Sequence, residues 1–442
     1  MKHNIKRIST VLLSLLVVSV LAFSIFSTNG SKTTASAEGS VTYLSSPYSG
    51  SSAGSRTTSS GSSASSDDYF SERDLSGAYD DEVYSITLNG LSAESDSGNV
   101  VINGSAVTIT AAGTYVISGS LNDGTVIVDA SKDDKVQLVL SGVSIVSSDY
   151  AAIYVKQADK VFVTLADGTV NNLANGGKYT QRDENEVDAV IFSKDDVTFN
   201  GTGSLYISAS AGSGIVGKDE VTITAGTYEI SAAEHAIRAK DSIAIADGSF
   251  TLSATGDGLH AENSDDDTLG NIYIAGGSFV IKAKDDAIHA NTLLQIDGGS
   301  FSITAAEGLE ATYIIINGGS IQISASDDGI NAARKSSAYT PTVEINGGDI
   351  TIAMGAGDTD GVDSNGNVVV NGGTINISGQ SSFDYDGTAQ YNGGTIIVNG
   401  QQVNSIPNQL MGGMNGGMGG WGGMGGQGGM GGRGGMGGGR GR

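Results

Sequence analysis

The sequence predicts an all-β protein, a parallel β-helix or solenoid with coils of about 22 residues, and three observations predict it. Between Val221 and Gly373 the chain repeats itself, each repeat holding three short alternating apolar runs separated by two turns. The first of those turns ends on a glycine every time, at Gly226, Gly248, Gly277, Gly299, Gly319, Gly348 and Gly373. The apolar positions are mostly Ile and Val at a spacing of two, with no helical spacing among them. A leucine-rich repeat would need a leucine framework, and propeller blades need a period of about 40 or more. The two longer steps carry polar insertions at 262–270 and 333–341, which are expected to leave the coil as loops.

Stacked coils turn sequence columns into ladders with a rung spacing of about 4.8 Å. Asn317, Asn346, Asn371 and Asn392 are expected to form an amide ladder at one turn. Tyr228, Phe250, Phe279 and Phe301, continued by Ile321, Ile350 and Ile375, share strand parity with buried Ile or Leu and are expected in the core. A third column, Asp257, Asp286, Glu307, Asp328 and Asp360, precedes the third strand, with Asp285 and Asp327 beside it. Three residues on stand Arg238, His260, His289, Glu310, Asn331 and Asp363, at an outward parity. Like charges at the rung spacing repel by roughly 3 to 4 kcal/mol per pair at an effective dielectric near 20, so something must offset them.

In chain order, Lys2, Lys6 and Arg7, an apolar run to Phe26 and Ala35-Ser36-Ala37 give a cleaved secretory signal over 1–37. Residues 38–82 are Ser/Gly-rich and read as a tether. The β pattern occupies 83–400, interrupted by a polar loop at 175–186, with irregular coils before Val136 and after Gly379 as end caps. The Gly/Met-rich tail, 401–442, has nothing from which to build a core. With 48 acidic residues against 23 Lys and Arg, the chain carries a net charge of −25, which excludes nucleic-acid binding through phosphates. The absence of cysteine excludes a thiolate metal site and a lipoprotein anchor. A secreted monomer, free of membrane once the signal is removed, is expected.

The segments ITAAGTYVISGSLNDGTVIVDA and KVQLVLSGVSI, and later DDAIHA, EGLEA, DDGINAA and DTDGVDSNGN, resemble the secreted clostridial carbohydrate-binding β-helix proteins, a family related in fold to pectate lyases. The resemblance runs from about Val83 to Gly400. It implies a right-handed parallel β-helix that binds calcium on stacked carboxylates and attaches to plant cell-wall polysaccharide, cellulose or polygalacturonate-like.

The residues support calcium independently, because an ion with six to eight oxygen ligands can bridge carboxylates on neighbouring coils. The expected metal residues are Asp257, Asp285, Asp286, Glu307, Glu310, Asp327, Asp328, Asp358, Asp360 and Asp363, the last three in a DTDGVDSNG loop of alternating oxygens. The alternative is a solvated acidic face, which is also the reading for Asp265, Asp266 and Asp267. His235, His260 and His289 lie on the same face, where the Asp-rich surroundings favour a hard ion over zinc. Arg238, His260, His289 and Asn331 are expected to bond sugar hydroxyls or a carboxylate, and Tyr273, outward in the first strand, either stacks on a sugar ring or is an ordinary surface tyrosine. A lyase on the same scaffold would need a Lys or Arg base, with Arg238, Lys240, Lys282 and Lys284 as candidates. A surface adhesive or structural protein, rigidified by calcium, is the third reading.

Overall fold

The computed structural model describes residues 65–79, 82–356 and 359–408, all inside one compact unit, Gly61–Arg442. The expected signal at 1–37, the tail beyond Asn408 and Asp358 lie outside the described residues.

Three short strands recur with each repeat. Glu220–Ile223, Thr227–Ala232 and Ile237–Ala239 are followed by Ser242–Ile245, Ser249–Ala254 and Leu259–Ala261, and the order continues through the later repeats. Each strand pairs in parallel with its equivalent one repeat on, Val221 with Ile243, Tyr228 with Phe250 and Ile237 with Leu259. The third strands belong to a sheet of 13 strands, and all the other strands of the described residues join in one of 25; neither sheet closes. The class is therefore all-β, with parallel sheets.

The expected columns form. Tyr228, Phe250, Phe279 and Phe301 stack at 4.6–5.1 Å within 8° of parallel, and are buried. Asn346 donates to Asn317 at 2.8 Å, and Asn371 and Asn392 each donate to the asparagine before them at 2.7 Å. The turn glycine is a steric demand: Gly348 has φ of +89°, and a Cβ there would lie 2.9 Å from the Gly319 carbonyl oxygen. At the two ends the pairing turns antiparallel, Tyr84–Gly90 with Ala93–Ser95 and Thr395–Val398 with Gln401–Val403.

The tether expected over 38–82 is corrected at its end. Residues 65–79 form a strap on the sheet, with Asp74 nearly buried, 2.8 Å from Lys160 Nζ and accepting from Thr198 Oγ1 at 2.6 Å. The Ser/Gly-rich stretch before it masked a segment that carries Tyr69, Phe70 and a Ser71–Asp74 turn in which the two side chains bond at 2.6 Å. The two insertions are loops, and they hold each other: Ser336 Oγ donates to the Asp267 carbonyl at 2.6 Å.

Candidate functional site

The site grows out of one turn. Before each third strand the backbone ladder places His235, Asp257, Asp286, Glu307, Asp328 and Asp360 in register, each carbonyl accepting an N–H from the repeat before it. Side chains at this position also cap the next repeat. His235 Nδ1 accepts the N–H of Asp257 at 3.1 Å, Asp257 Oδ1 that of Asp286 at 2.9 Å, and Asp328 Oδ1 that of Asp360 at 2.9 Å. Part of the acidic column is therefore explained by structure: a short acceptor is required wherever the turn leaves an amide without a ladder partner.

The outward column forms as expected, Arg238, His260, His289, Glu310, Asn331 and Asp363 pairing one after another, and Asp384 extends it. Its members are largely buried, not freely exposed, because they answer the acids beside them. His260 Nδ1 lies 2.6 Å from Asp257 Oδ2, and His289 Nδ1 lies 2.9 Å from Asp286 and 2.8 Å from Glu310. The imidazoles of His260 and His289 stack at 4.8 Å, and that of His235 lies tilted by 31° at 4.4 Å from His260. Lys335, delivered by the second insertion, reaches Glu310 at 2.7 Å.

These contacts set the charges. Burial opposes ionisation of Asp257, yet His260 and the Asp286 amide hold its carboxyl well below the usual range. Burial pushes His260 down, toward the neutral imidazole. Burial also works against the charge on His289, but Asp286 and Glu310 outweigh it and raise the ring to about 10. Desolvation, with His289 acting against it, raises Asp286 to about 6. Glu310, buried but held by His289 and Lys335, is lowered to about 2.

Further along, oxygen is the dominant donor. Burial and the neighbouring Glu310 and Asp286 raise Glu307 to about 8; burial and Asp328, Asp360 and Asp384 raise Asp363 to about 7. Asn331 Nδ2 donates to Glu307 at 3.0 Å, while the buried Oδ1 of Asn331 and Oδ1 of Asp384 have no hydrogen-bond partner among the described residues. Ser381 Oγ donates to Asp360. Donor atoms of Asp286, Glu307 and Glu310 lie within 4.8 Å of one another, as do those of Asp257, Asp286 and His289, and of His235, Asp257 and His260.

A cleft of about 460 Å³ opens at the other end of the column, lined by Asp188, Lys218, Arg238, Lys240, His260 and Glu262 among others. Arg238 is held by Asp188 at 2.6 Å and Lys240 by Asp265 at 2.6 Å. Lys218 lies 5.6 Å from the Phe192 ring centroid and has no acid within 4.0 Å among the described residues.

Two expectations change. Tyr273 is not an open stacking platform: its ring is 1% exposed, covered by Tyr69 of the strap at 4.1 Å and 7°, and its hydroxyl donates to Asp297 at 2.7 Å. Asp285 and Asp327 are exposed turn residues beside the column, and they stand outside the close donor groups, as do Asp328, Asp360 and Asp363 within it. In the 265–267 run, Asp265 pairs with Lys240, Asp266 accepts from Thr268 and Asp267 from Ser337, three structural roles. Sequence reasoning missed Asp188, Lys218, Lys335 and Asp384. A signal existed for Asp384, which follows Phe383 as Asp363 follows Val362, but none for Lys335 within an insertion.

The family model described as "Carbohydrate-binding domain-containing protein" matches residues 103–361 and 307–406. A protein of that description from Acetivibrio thermocellus is 40% identical over 128 residues, 28% of this chain and 45% of the relative. The chain thus matches under half the length of that curated relative. A solved polysaccharide lyase-like protein from C. thermocellum, a gadolinium derivative, is 30% identical with a TM-score of 0.48, covering 54% of this chain and 94% of the other.

Proposed function

The chain belongs to the carbohydrate-binding domain family, and from that premise we propose that it is an exported, calcium-assisted polysaccharide-binding protein. The observation that carries the reading is the cleft: in a chain of net charge −25 it sets Lys218, Arg238, Lys240 and His260 beside Glu186, Asp188 and Glu262 around one open space, with Lys218 left without an acid within 4.0 Å among the described residues. Lys218 and Arg238 would meet a sugar carboxylate and His260 a hydroxyl, which suits a polygalacturonate-like chain. The same reading takes the recurring three strands as coils of a right-handed parallel β-helix, supported by parallel pairing of every strand with its equivalent one repeat on.

Calcium belongs, in this reading, to the oxygen-rich end of the column. Glu307, Asp328, Asn331, Asp360, Asp363 and Asp384 offer hard donors, and the unpartnered Oδ1 atoms of Asn331 and Asp384, two repeats apart, would each be completed by a cation of its own. When bound, the ion would neutralise carboxylates that burial otherwise drives toward protonation. The His-bearing end needs no ion for this, since imidazoles and Lys335 already offset Asp257, Asp286 and Glu310.

The test is affinity electrophoresis of the full chain through gels holding polygalacturonate or a soluble neutral β-glucan, with calcium and with EDTA, while absorbance of unsaturated uronides is followed. Retardation by polygalacturonate that weakens in EDTA, without product, is expected. Product formation would replace binding with lyase chemistry, and free migration in both gels would refute the reading.

A further inference from the structure

The strap is fixed to the sheet chiefly through Asp74. Thr224 Oγ1 donates to the Asp74 carbonyl at 2.8 Å and Asn200 Nδ2 donates to the same oxygen at 3.3 Å, so its main chain cannot drift from the sheet beneath. Its side chain meets Lys160, the first residue of the strand Lys160–Leu165, whose Nζ lies 2.8 Å from Oδ1. The two side chains are 4% and 17% exposed, and the Phe162 ring flanks the amine with its centroid 5.8 Å from Nζ. An amine and a carboxylate from distant parts of the chain are thus held in contact, mostly out of water.

An ion pair asks only for opposite charge and contact, yet here each carboxylate oxygen also has donors of its own. Oδ1 accepts from Thr198 Oγ1 at 2.6 Å, while Oδ2 accepts the Ser71 N–H at 3.0 Å and the Ser71 hydroxyl at 2.6 Å. Paired donors on one oxygen are what stabilises an oxyanion at an acyl carbon, and they leave Lys160 and Thr198 together at the other oxygen. Burial opposes ionisation of Asp74, but Lys160, Ser71 and Thr198 hold its carboxyl below the usual range, so the pair begins charged. The low dielectric narrows the gap to neutral amine and acid, because both charges lose hydration there.

We propose that Lys160 and Asp74 join in an intramolecular isopeptide bond, which fastens the strap to the sheet covalently. A proton passes from the ammonium to Oδ1, the freed Nζ lone pair attacks Cγ, and negative charge gathers on Oδ2 against the Ser71 donors. A second proton then moves from nitrogen to Oδ1, with the Thr198 hydroxyl beside it as relay. The Cγ–Oδ1 bond breaks and Oδ1 leaves as water. One ammonium and one carboxylate give one amide and one water, so atoms, charge and electrons balance without an activating cofactor. Proximity favours the amide: a well-oriented amine acts at an effective molarity of about 10⁵ M or more, against about 55 M for bulk water. The bond would close a long loop as a disulfide does, in a chain that has no cysteine. It depends on neither the cleft nor calcium.

The test is the intact mass of the denatured full chain, beside K160R, with tryptic mapping that also defines the N-terminus. The parent should fall about 18 Da below its sequence mass and yield one branched peptide that carries Asp74 and an uncleaved Lys160. K160R keeps a cation beside Asp74 but removes the primary amine, so it should show its full sequence mass and two separate peptides. A parent at full mass, with Asp74 and Lys160 in separate peptides, overturns the proposal. So does a water loss that persists in K160R, which would place the dehydration at an Asp-Gly turn instead. The parent's own mass and map are decisive whether or not the variant folds.

Discussion

Asp257 Oδ1 accepts the backbone N–H of Asp286 at 2.9 Å, so a residue of the acidic column closes the turn of the next repeat. Its other oxygen pairs with His260 Nδ1 at 2.6 Å. One carboxylate thus joins backbone capping to charge balance, and it does so without any bound ion.

Asp257→Ala should orphan the Asp286 amide and leave the His260 imidazole without its acid, costing about 3 kcal/mol in chemical denaturation. Asp257→Asn keeps an acceptor oxygen and should cost less. Because the folded carboxyl is held below its unfolded value, its contribution is present above about pH 4 and lost as pH falls below that. The Asn variant should lack this acid-side loss; equal acid sensitivity in parent and variant would contradict the assignment.

Calcium should stabilise the chain in a pH-dependent way. Glu307 at about 8 and Asp363 at about 7 are raised above their unfolded values, so stability falls as pH rises from about 4 through 8 in the absence of a cation. A bound ion removes that loss, and at a hundredfold excess over its Kd adds about 2.7 kcal/mol. Thermal melts should show a clear calcium shift at pH 8 and little at pH 5. A shift that is the same at both values, or absent at pH 8, counts against the carboxylate cluster as the site.

The strap should be structural. Asp74→Ala leaves Lys160 nearly buried and unpaired and removes the acceptor of Thr198, which should cost about 3 kcal/mol or more. It should also expose Tyr273 by loosening Tyr69, visible as faster hydrogen exchange in 271–274. Unchanged stability would show that the strap merely rests on the sheet.

Asn346 sits mid-ladder, donating to Asn317 and accepting from Asn371. Asn346→Ala removes both bonds and should lower stability by about 1–2 kcal/mol, read from the urea midpoint at constant slope. A change below a few tenths would mean that the amides are satisfied by water instead.

Much of this was legible in the sequence, because a stacked repeat converts spacing into contact. The glycine turn, the Asn amides, the aromatic column and the His260–His289–Glu310–Asn331 column all follow from counting residues within each repeat. His235, already placed on that face, follows from the same count, standing two residues before Ile237 as Asp257 stands two before Leu259. What counting does not reveal is where a chain leaves the repeat and returns. Lys335 reaches Glu310 from an insertion, Asp74 reaches Lys160 from the strap, and Tyr69 covers Tyr273 across some two hundred residues. The offset to the acidic repulsion was likewise hidden, since the choice between an imidazole, a capped amide and an ion depends on turn geometry.

The most direct measurement is affinity electrophoresis of K218A/R238Q beside the parent in polygalacturonate, with calcium present. Lys218 has no acid within 4.0 Å among the described residues, and Gln at 238 retains donors toward Asp188, so melting should be little altered. Loss of retardation by about tenfold at an unchanged melting temperature is predicted. Retardation equal to that of the parent would contradict the cleft as the polysaccharide site.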